Sequence, residues 1–345
     1  MMRTVFPLAF LAVALLALGA LQAEEPRWVL GVPLVDGEAT LEGKAVRLVD
    51  PAIVRDGETW HVFASASGGT VWFAVKDWTK RPAVREVTRL PVGRCFVPQV
   101  FYHRAQKRWH MIGMVPDTTG RWPKMAPCLC TNANLNDPQG WSQPEVLDVP
   151  PPPQDAARPV KLWIDFWVIC DEQKAHLFAT SADGRLWRAE TALEKYPHGW
   201  SAPVLALEGD FIYASHTYRQ EGPEATRYLT LVTARGAVAP SAGAAEAKPP
   251  QRHYQQSYTA ARLEGPWVPA AATAAQPYAG TANIRLTDAL WSGDISHGEP
   301  LRQGNDERMI LEAQPAGFIF HGARRSSTDA KAKAGACVGL LEVEK

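Results

Sequence analysis

From about residue 50 to about residue 322 the chain is a succession of short apolar runs separated by polar or glycine-bearing turns. The first group is 51–54, 60–64 and 71–75, and the second is 97–102, 109–114 and 128–131. The third is 166–170, 176–180 and 186–189, and the fourth is 211–217, 228–233 and 256–260. Runs of this kind, bounded by turns such as Arg55-Asp56-Gly57-Glu58 and Ala182-Asp183-Gly184, predict strands. No long stretch holds a 3.6-residue apolar period, so helices are not expected. A Trp closes each group, followed within a few residues by Pro or a small polar residue. The four are Asp77-Trp78-Thr79, Gly140-Trp141-Ser142-Gln143-Pro144, Gly199-Trp200-Ser201-Ala202-Pro203 and Pro266-Trp267-Val268-Pro269. Three or four short strands in each unit of about sixty residues is the pattern of propeller blades. Residues 280–322 supply a fifth unit, to be completed by one terminal strand, either 28–32 or 338–343. The expected fold is all-β, a five-bladed β-propeller with the four Trp at equivalent blade positions. A β-sandwich would not repeat the same closing Trp four times.

Composition narrows the function without choosing it. The 345 residues carry 36 Lys+Arg and 36 Asp+Glu. Such balance lacks the basic surplus that grips phosphates or an anionic lipid surface, so neither nucleic acid nor a membrane is an expected partner. A chain of this length buries roughly 75% of its unfolded surface and needs no metal or disulfide staple. The 13 Trp suit closely packed strands and, secondarily, surfaces that stack on sugars. Arg3, the apolar run 5–20 and Leu21-Gln22-Ala23 read as an export signal over 1–23. It is too short and Ala-rich to prefer a membrane span. Residues 24–345 are then expected to form one domain of a secreted or periplasmic monomer. The five cysteines, Cys95, Cys128, Cys130, Cys170 and Cys337, cannot all pair internally, and buried thiols with at most one bridge are expected. Residues 148–159, with four consecutive prolines, and 236–251, rich in Ala, Pro and Gly, read as flexible insertions.

Innermost strands of a propeller line its channel, so their leading residues meet at one end of the axis. Asp50 opens the first unit in Val49-Asp50-Pro51-Ala52, and Asp165 the third in Ile164-Asp165-Phe166-Trp167. Asp294 and His297 open the fifth in Asp294-Ile295-Ser296-His297-Gly298. Acids inside apolar strand starts are costly to bury unless paired, bonded or put to use. A single one reads as a turn-capping Asp; two at equivalent positions point to a site.

These residues and the repeat resemble the clan of five-bladed glycoside hydrolases formed by families 43 and 62. Asp50-Pro51-Ala52-Ile53-Val54-Arg55-Asp56-Gly57 is similar to the family 43 strand that carries the general base. The fuller resemblance is to family 62, the α-L-arabinofuranosidases. It runs in order through Val97–Tyr102, Asn136–Ser142, Gly184–Ala189, Pro277–Asn283 and Asp294–Gly298. The resemblance implies an inverting mechanism, in which a carboxylate activates water while a carboxylic acid ~6.5–9.5 Å away protonates the leaving oxygen. It implies Asp50 as base and Asp165 as the acid that orients the sugar and tunes its partner. It implies Tyr213, Arg188, Asn283 and Asp294 as substrate-binding positions. His297 matches the channel histidine that helps hold a calcium ion or water, against a reading as a buried hydrogen-bonded His of nearly equal weight. The implied partner is an arabinose-bearing plant polysaccharide or oligosaccharide.

The general acid is where the match departs. Family 62 carries it as Glu in a Phe-Glu-Ala segment on the first strand of blade four; the better register here gives Ile212-Tyr213-Ala214. A second register, from Glu208-Gly209-Asp210-Phe211-Ile212-Tyr213, resembles the family 43 acid segment and makes Glu208 the acid. Val49 also replaces the lysine that precedes the family 62 base, and the closing Tyr-Arg segment is missing. Two functions follow: an arabinofuranosidase, or a carbohydrate-binding propeller that has lost turnover. Glu208 facing Asp50 favours the first; Tyr213 in the acid's place with Glu208 outside favours the second.

Overall fold

The computed structural model describes residues 27–35, 39–77, 84–222, 226–237, 251–286, 291–323 and 336–344. Their regular structure is all strand, arranged as five blades around an axis. The expected export signal, Trp78 and most of the 236–251 insertion lie outside the described residues.

Blade I runs from its innermost strand outward as Val49–Asp56, Thr59–Ala66, Gly69–Val75 and Thr88–Arg89. Blade II is Phe96–His103, Arg108–Pro116, Met125–Asn132 and Glu145–Val146. Blade III is Ile164–Cys170, Lys174–Thr180, Arg185–Ala192 and Val204–Glu208. Blade IV is Tyr213–Glu221, Thr226–Ala237, Gln251–Ala260 and Val268–Pro269. Blade V is Ser296–Pro300, Gly317–Ala323, Ala336–Val343, then Trp28–Leu30 and Ile284–Leu286. The expectation of one terminal strand closing blade V needs correction, because both do so. Trp28–Leu30 pairs antiparallel with the C-terminal strand, so the ends of the described chain lock the ring.

Each blade buries its faces against its neighbours, and the closing Trp residues serve this packing. Ser142 and Ser201, which follow Trp141 and Trp200, both donate their backbone N–H to the third strand, at Thr131 and Glu190. Val268, after Trp267, pairs with Thr259 of the third strand. The three described Trp therefore hold equivalent positions. Trp141 meets Phe63 of blade I edge-on at 5.7 Å, and Trp267 meets Phe178 of blade III at 6.0 Å in the same manner. Such aromatic contacts add to the area they bury. All five cysteines are buried and free, with the Cys95 and Cys128 sulfurs 3.5 Å apart and unbridged.

Two glycines admit close backbone contacts between strand starts and loops. A Cβ on Gly69 would sit 2.0 Å from the Gly93 carbonyl oxygen, and one on Gly184 would sit 2.2 Å from that of Gly209. Both have positive φ, which glycine alone adopts without strain.

One end of the channel is closed. The segment after blade V's innermost strand crosses it and touches the four other blades in turn. Asn305 Nδ2 donates to the Arg55 carbonyl, and the Asn305 carbonyl accepts from Tyr102 N–H at 2.7 Å. The Glu307 carbonyl accepts from Cys170 N–H and the Met309 carbonyl from Arg219 N–H. Beneath it, Arg302 donates to Glu299 at 2.8 Å and to the carbonyls of Ile53 and Val100. Among the described residues no such segment crosses the opposite, open end, where the innermost strands begin.

Candidate active site

All five innermost strands begin alike. The second residue has positive φ: Asp50 (52°), Val97 (54°), Asp165 (59°), Ala214 (67°) and His297 (35°). In each blade the register with the second strand shifts at this point. A bulge of this kind re-aims a side chain and frees a backbone N–H from the ladder. A β-branched Val at positive φ is a conformational outlier, so the fold imposes the geometry rather than local preference. The freed N–H groups find acceptors on the preceding blade. Val97 donates to Ser65 Oγ, Ala214 to Asp165 Oδ2 at 2.7 Å, His297 to Thr233 Oγ1, and Asp50 to His321 Nδ1 at 3.0 Å.

This ring brings Asp50, Asp165 and His297 to the open end. Asp50 Oδ1 lies 3.7 Å from His297 Nδ1 and 3.6 Å from His321 Nδ1. Burial raises the Asp50 carboxyl above the ordinary range, with His321 acting the other way. Burial also pushes Asp165 up to about 7, opposed by the Ala214 N–H and reinforced by Asp50. The two histidines are not cations here, because burial lowers His297 to about 3 and His321 to about 4. His321 Nδ1 accepts the Asp50 N–H, which leaves its proton on Nε2. Behind His297 stands His216, which stacks on Trp167 at 4.2 Å and hydrogen-bonds the Gly298 carbonyl through Nδ1.

Tyr213 opens blade IV one residue before Ala214 and reaches into blade V, where its hydroxyl meets Ser296 Oγ at 3.0 Å. Burial raises the phenol, and Asp50, Asp165 and Asp294 raise it further. Asp294 Oδ1 accepts the His253 N–H at 2.9 Å and lies 3.3 Å from His253 Nδ1. Despite burial, these contacts hold Asp294 below the ordinary range.

Three sequence candidates are not brought to this cluster. Glu208 ends the outermost strand of blade III, at the rim of the open end, with its side chain 49% exposed and ion-paired to Arg158. Arg188 is buried in the third strand of blade III among His176 and Glu190, toward the closed end. Asn283 spends its amide on the Gly280 N–H and the carbonyls of Pro277 and Tyr278, at the outer edge of blade V. Conversely, sequence reading missed His321, His253 and Ser296. A polar residue ending the apolar run Phe318-Ile319-Phe320 was the one signal for His321; nothing local marked His253.

Among the described residues, the group of His and acids compact enough to surround an ion is His176, Glu190 and Glu264, toward the closed end. It is already engaged by Asp171, Arg188 and Lys174.

The sequence profile of glycosyl hydrolase family 62 matches residues 58–336, beginning just after Asp50, so the place of Asp50 rests on blade geometry. α-L-Arabinofuranosidase C of Cellvibrio japonicus is 28% identical over 308 residues, which is 86% of this chain and 44% of that protein. The chain thus spans less than half the length of that curated relative. The catalytic domain of the Coprinopsis cinerea family 62 α-L-arabinofuranosidase superposes with a TM-score of 0.77 at 28% identity, covering 92% of this chain and 97% of that one. The Podospora anserina α-L-arabinofuranosidase in complex with cellotriose gives 0.74 at 27%, covering 93% and 98%.

Proposed function

The chain belongs to glycosyl hydrolase family 62, and from that premise we propose that it removes terminal α-L-arabinofuranosyl groups from arabinose-bearing plant polysaccharides with inversion. The observation that carries this reading is the placement of Asp50 and Asp165 at equivalent strained strand starts, Asp165 buried and Asp50 partly buried, with neutral imidazoles rather than cations beside Asp50. In this reading a water on one face of the sugar loses a proton to Asp50 as it attacks the anomeric carbon. The raised Asp50 carboxyl makes its carboxylate a stronger base. Asp165, protonated up to about 7, both donates to and accepts from sugar hydroxyls. Tyr213 and Ser296 line the adjoining wall.

The same reading carries an exported monomer, from the 1–23 leader, and a calcium ion or ordered water beside His297. Calcium takes six to eight oxygens. The side chains near His297 offer one carboxylate and imidazoles, so water would supply most of its shell, and no step depends on it.

A second reading, a carbohydrate-binding propeller without turnover, is favoured by one arrangement. Tyr213 stands where the family resemblance puts the acid, and Glu208 is held at the rim by Arg158. Incubating the protein with 4-nitrophenyl α-L-arabinofuranoside and with arabinoxylan, and measuring free arabinose, decides between them. Release from the aryl substrate is expected; binding of arabinosylated oligosaccharides with no release from either substrate supports the second reading.

A further inference from the structure

An inverting hydrolase needs a proton for the leaving oxygen, and most titratable groups at the open end are ill suited to give one. The Tyr213 phenol is held above its already high range, largely by burial. Asp294 is held ionised. His297 and His321 are neutral through burial. Asp165 gives Oδ2 to the Ala214 N–H and, in the reading above, is committed to the sugar hydroxyls. Glu208 is tied to Arg158 at the rim.

His253 remains. It lies near the open-end start of the third strand of blade IV, with a side chain 26% exposed. Its ring is 5.8 Å from that of Tyr213. Asp294 fixes it from behind, taking its backbone N–H and facing Nδ1 at 3.3 Å. Arg252 Nη1 lies 3.8 Å from the other Asp294 oxygen, and Ile295 N–H donates to the His253 carbonyl. With Nδ1 taken up by Asp294, Nε2 is the ring nitrogen left to meet a substrate. A carboxylate behind Nδ1 steadies an imidazolium and fixes its orientation, as in hydrolytic triads, and an imidazolium is a far stronger acid than a phenol.

We propose that His253, oriented by Asp294, is the proton donor to the leaving oxygen; this rests on the hydrolase reading above. As the bond from the anomeric carbon to the leaving oxygen breaks, that oxygen takes the Nε2 proton of the imidazolium. The attacking water forms the new C–O bond and passes its proton to Asp50. His253 ends neutral and Asp50 protonated, and exchange with bulk water restores both. Asp294 is a positioning residue in this scheme.

The test compares arabinoxylan with 2,4-dinitrophenyl α-L-arabinofuranoside, whose leaving group needs no proton. His253→Gln is expected to lower kcat/KM on arabinoxylan about 10²–10⁴-fold while the dinitrophenyl rate stays within about threefold, which also shows that the variant is folded. Carbethoxylation of the wild-type protein, mapped to His253 by mass spectrometry, should reproduce the split without any substitution. Equal loss on both substrates, no loss on either, or the same split in Asp165→Asn with His253→Gln silent overturns the assignment. Wild-type protein that hydrolyses neither substrate overturns the hydrolase reading itself, and is distinguishable because the dinitrophenyl rate is then absent before any substitution.

Discussion

At the closed end of the propeller acids are matched by Arg side chains or by several hydrogen-bond donors, whereas the acids at the centre of the open end have fewer of both. Glu299 and Arg302, 0% and 1% exposed, bond at 2.8 Å under the crossing segment. Asp306 pairs with Arg308, and Glu307 with Arg104. Asp171 is held down at about 2 despite burial, by His176 and the N–H groups of Gln173 and Lys174. At the open end Asp165, 4% exposed, and Asp50, 20% exposed, are raised by burial as Glu299 is, but among the described residues no ion pair with Lys or Arg answers them and the imidazoles beside Asp50 carry no charge. Neutralised acids serve packing. Acids left desolvated without a cation impose a cost that packing alone does not require, and such groups mark sites of chemistry.

The largest expected effect is on turnover. On the hydrolase reading proposed above, Asp50→Asn keeps the side chain's shape and removes proton acceptance, so hydrolysis of any arabinofuranoside should fall about 10²–10⁴-fold with sugar binding largely kept. Undiminished rates would remove Asp50 from the mechanism and erase the distinction between the two ends. At the other end, Arg302→Met leaves Glu299 buried without its cation. Urea unfolding should show a loss of about 3–5 kcal/mol; a variant as stable as the parent would mean that the pair is not structural.

The pH dependence of stability separates the ends more finely. Asp165 rises from 3.8 to about 7 on folding. Between those values the unfolded chain has lost this proton and the folded chain keeps it. The contribution of Asp165 is therefore full below the window and is lost as pH rises through it. Asp165→Asn should flatten that decline in thermal melts from acid to neutral pH. His297, lowered to about 3, acts in the opposite sense and costs stability as pH falls below 6.5. An unchanged profile in Asp165→Asn would mean that Asp165 titrates normally. The smallest effect concerns the rim: Glu208→Gln breaks an exposed pair with Arg158, and neither the melting temperature nor arabinoxylan cleavage should change measurably. A large loss of cleavage would return Glu208 to the site.

The blades were legible because interblade packing repeats the same Trp at the same strand junction, as Trp141, Trp200 and Trp267 show. Asp50 and Asp165 were legible because an acid at the head of an apolar run has few structural explanations. The closure by both termini was not, since 28–32 and 338–343 look alike as apolar strands and only their mutual pairing distinguishes the outcome. Glu208 looked catalytic through its neighbours in sequence, but strand order carries it to the outer edge of blade III before the chain returns to the axis at Tyr213. His253 and His321 reach the open end from third and second strands of different blades, a juxtaposition that no local pattern records.

The claim that open-end acids are desolvated with little compensation while closed-end acids are ion-paired or held by hydrogen-bond donors is tested most directly by titrating them. Carbon-13 NMR of the protein labelled at aspartate carboxyls, assigned with Asp165→Asn and Asp171→Asn, reads each carboxyl separately. The account predicts that Asp165 ionises near 7 and Asp171 near 2. Asp165 titrating at or below about 4, with the exposed aspartates, would contradict it.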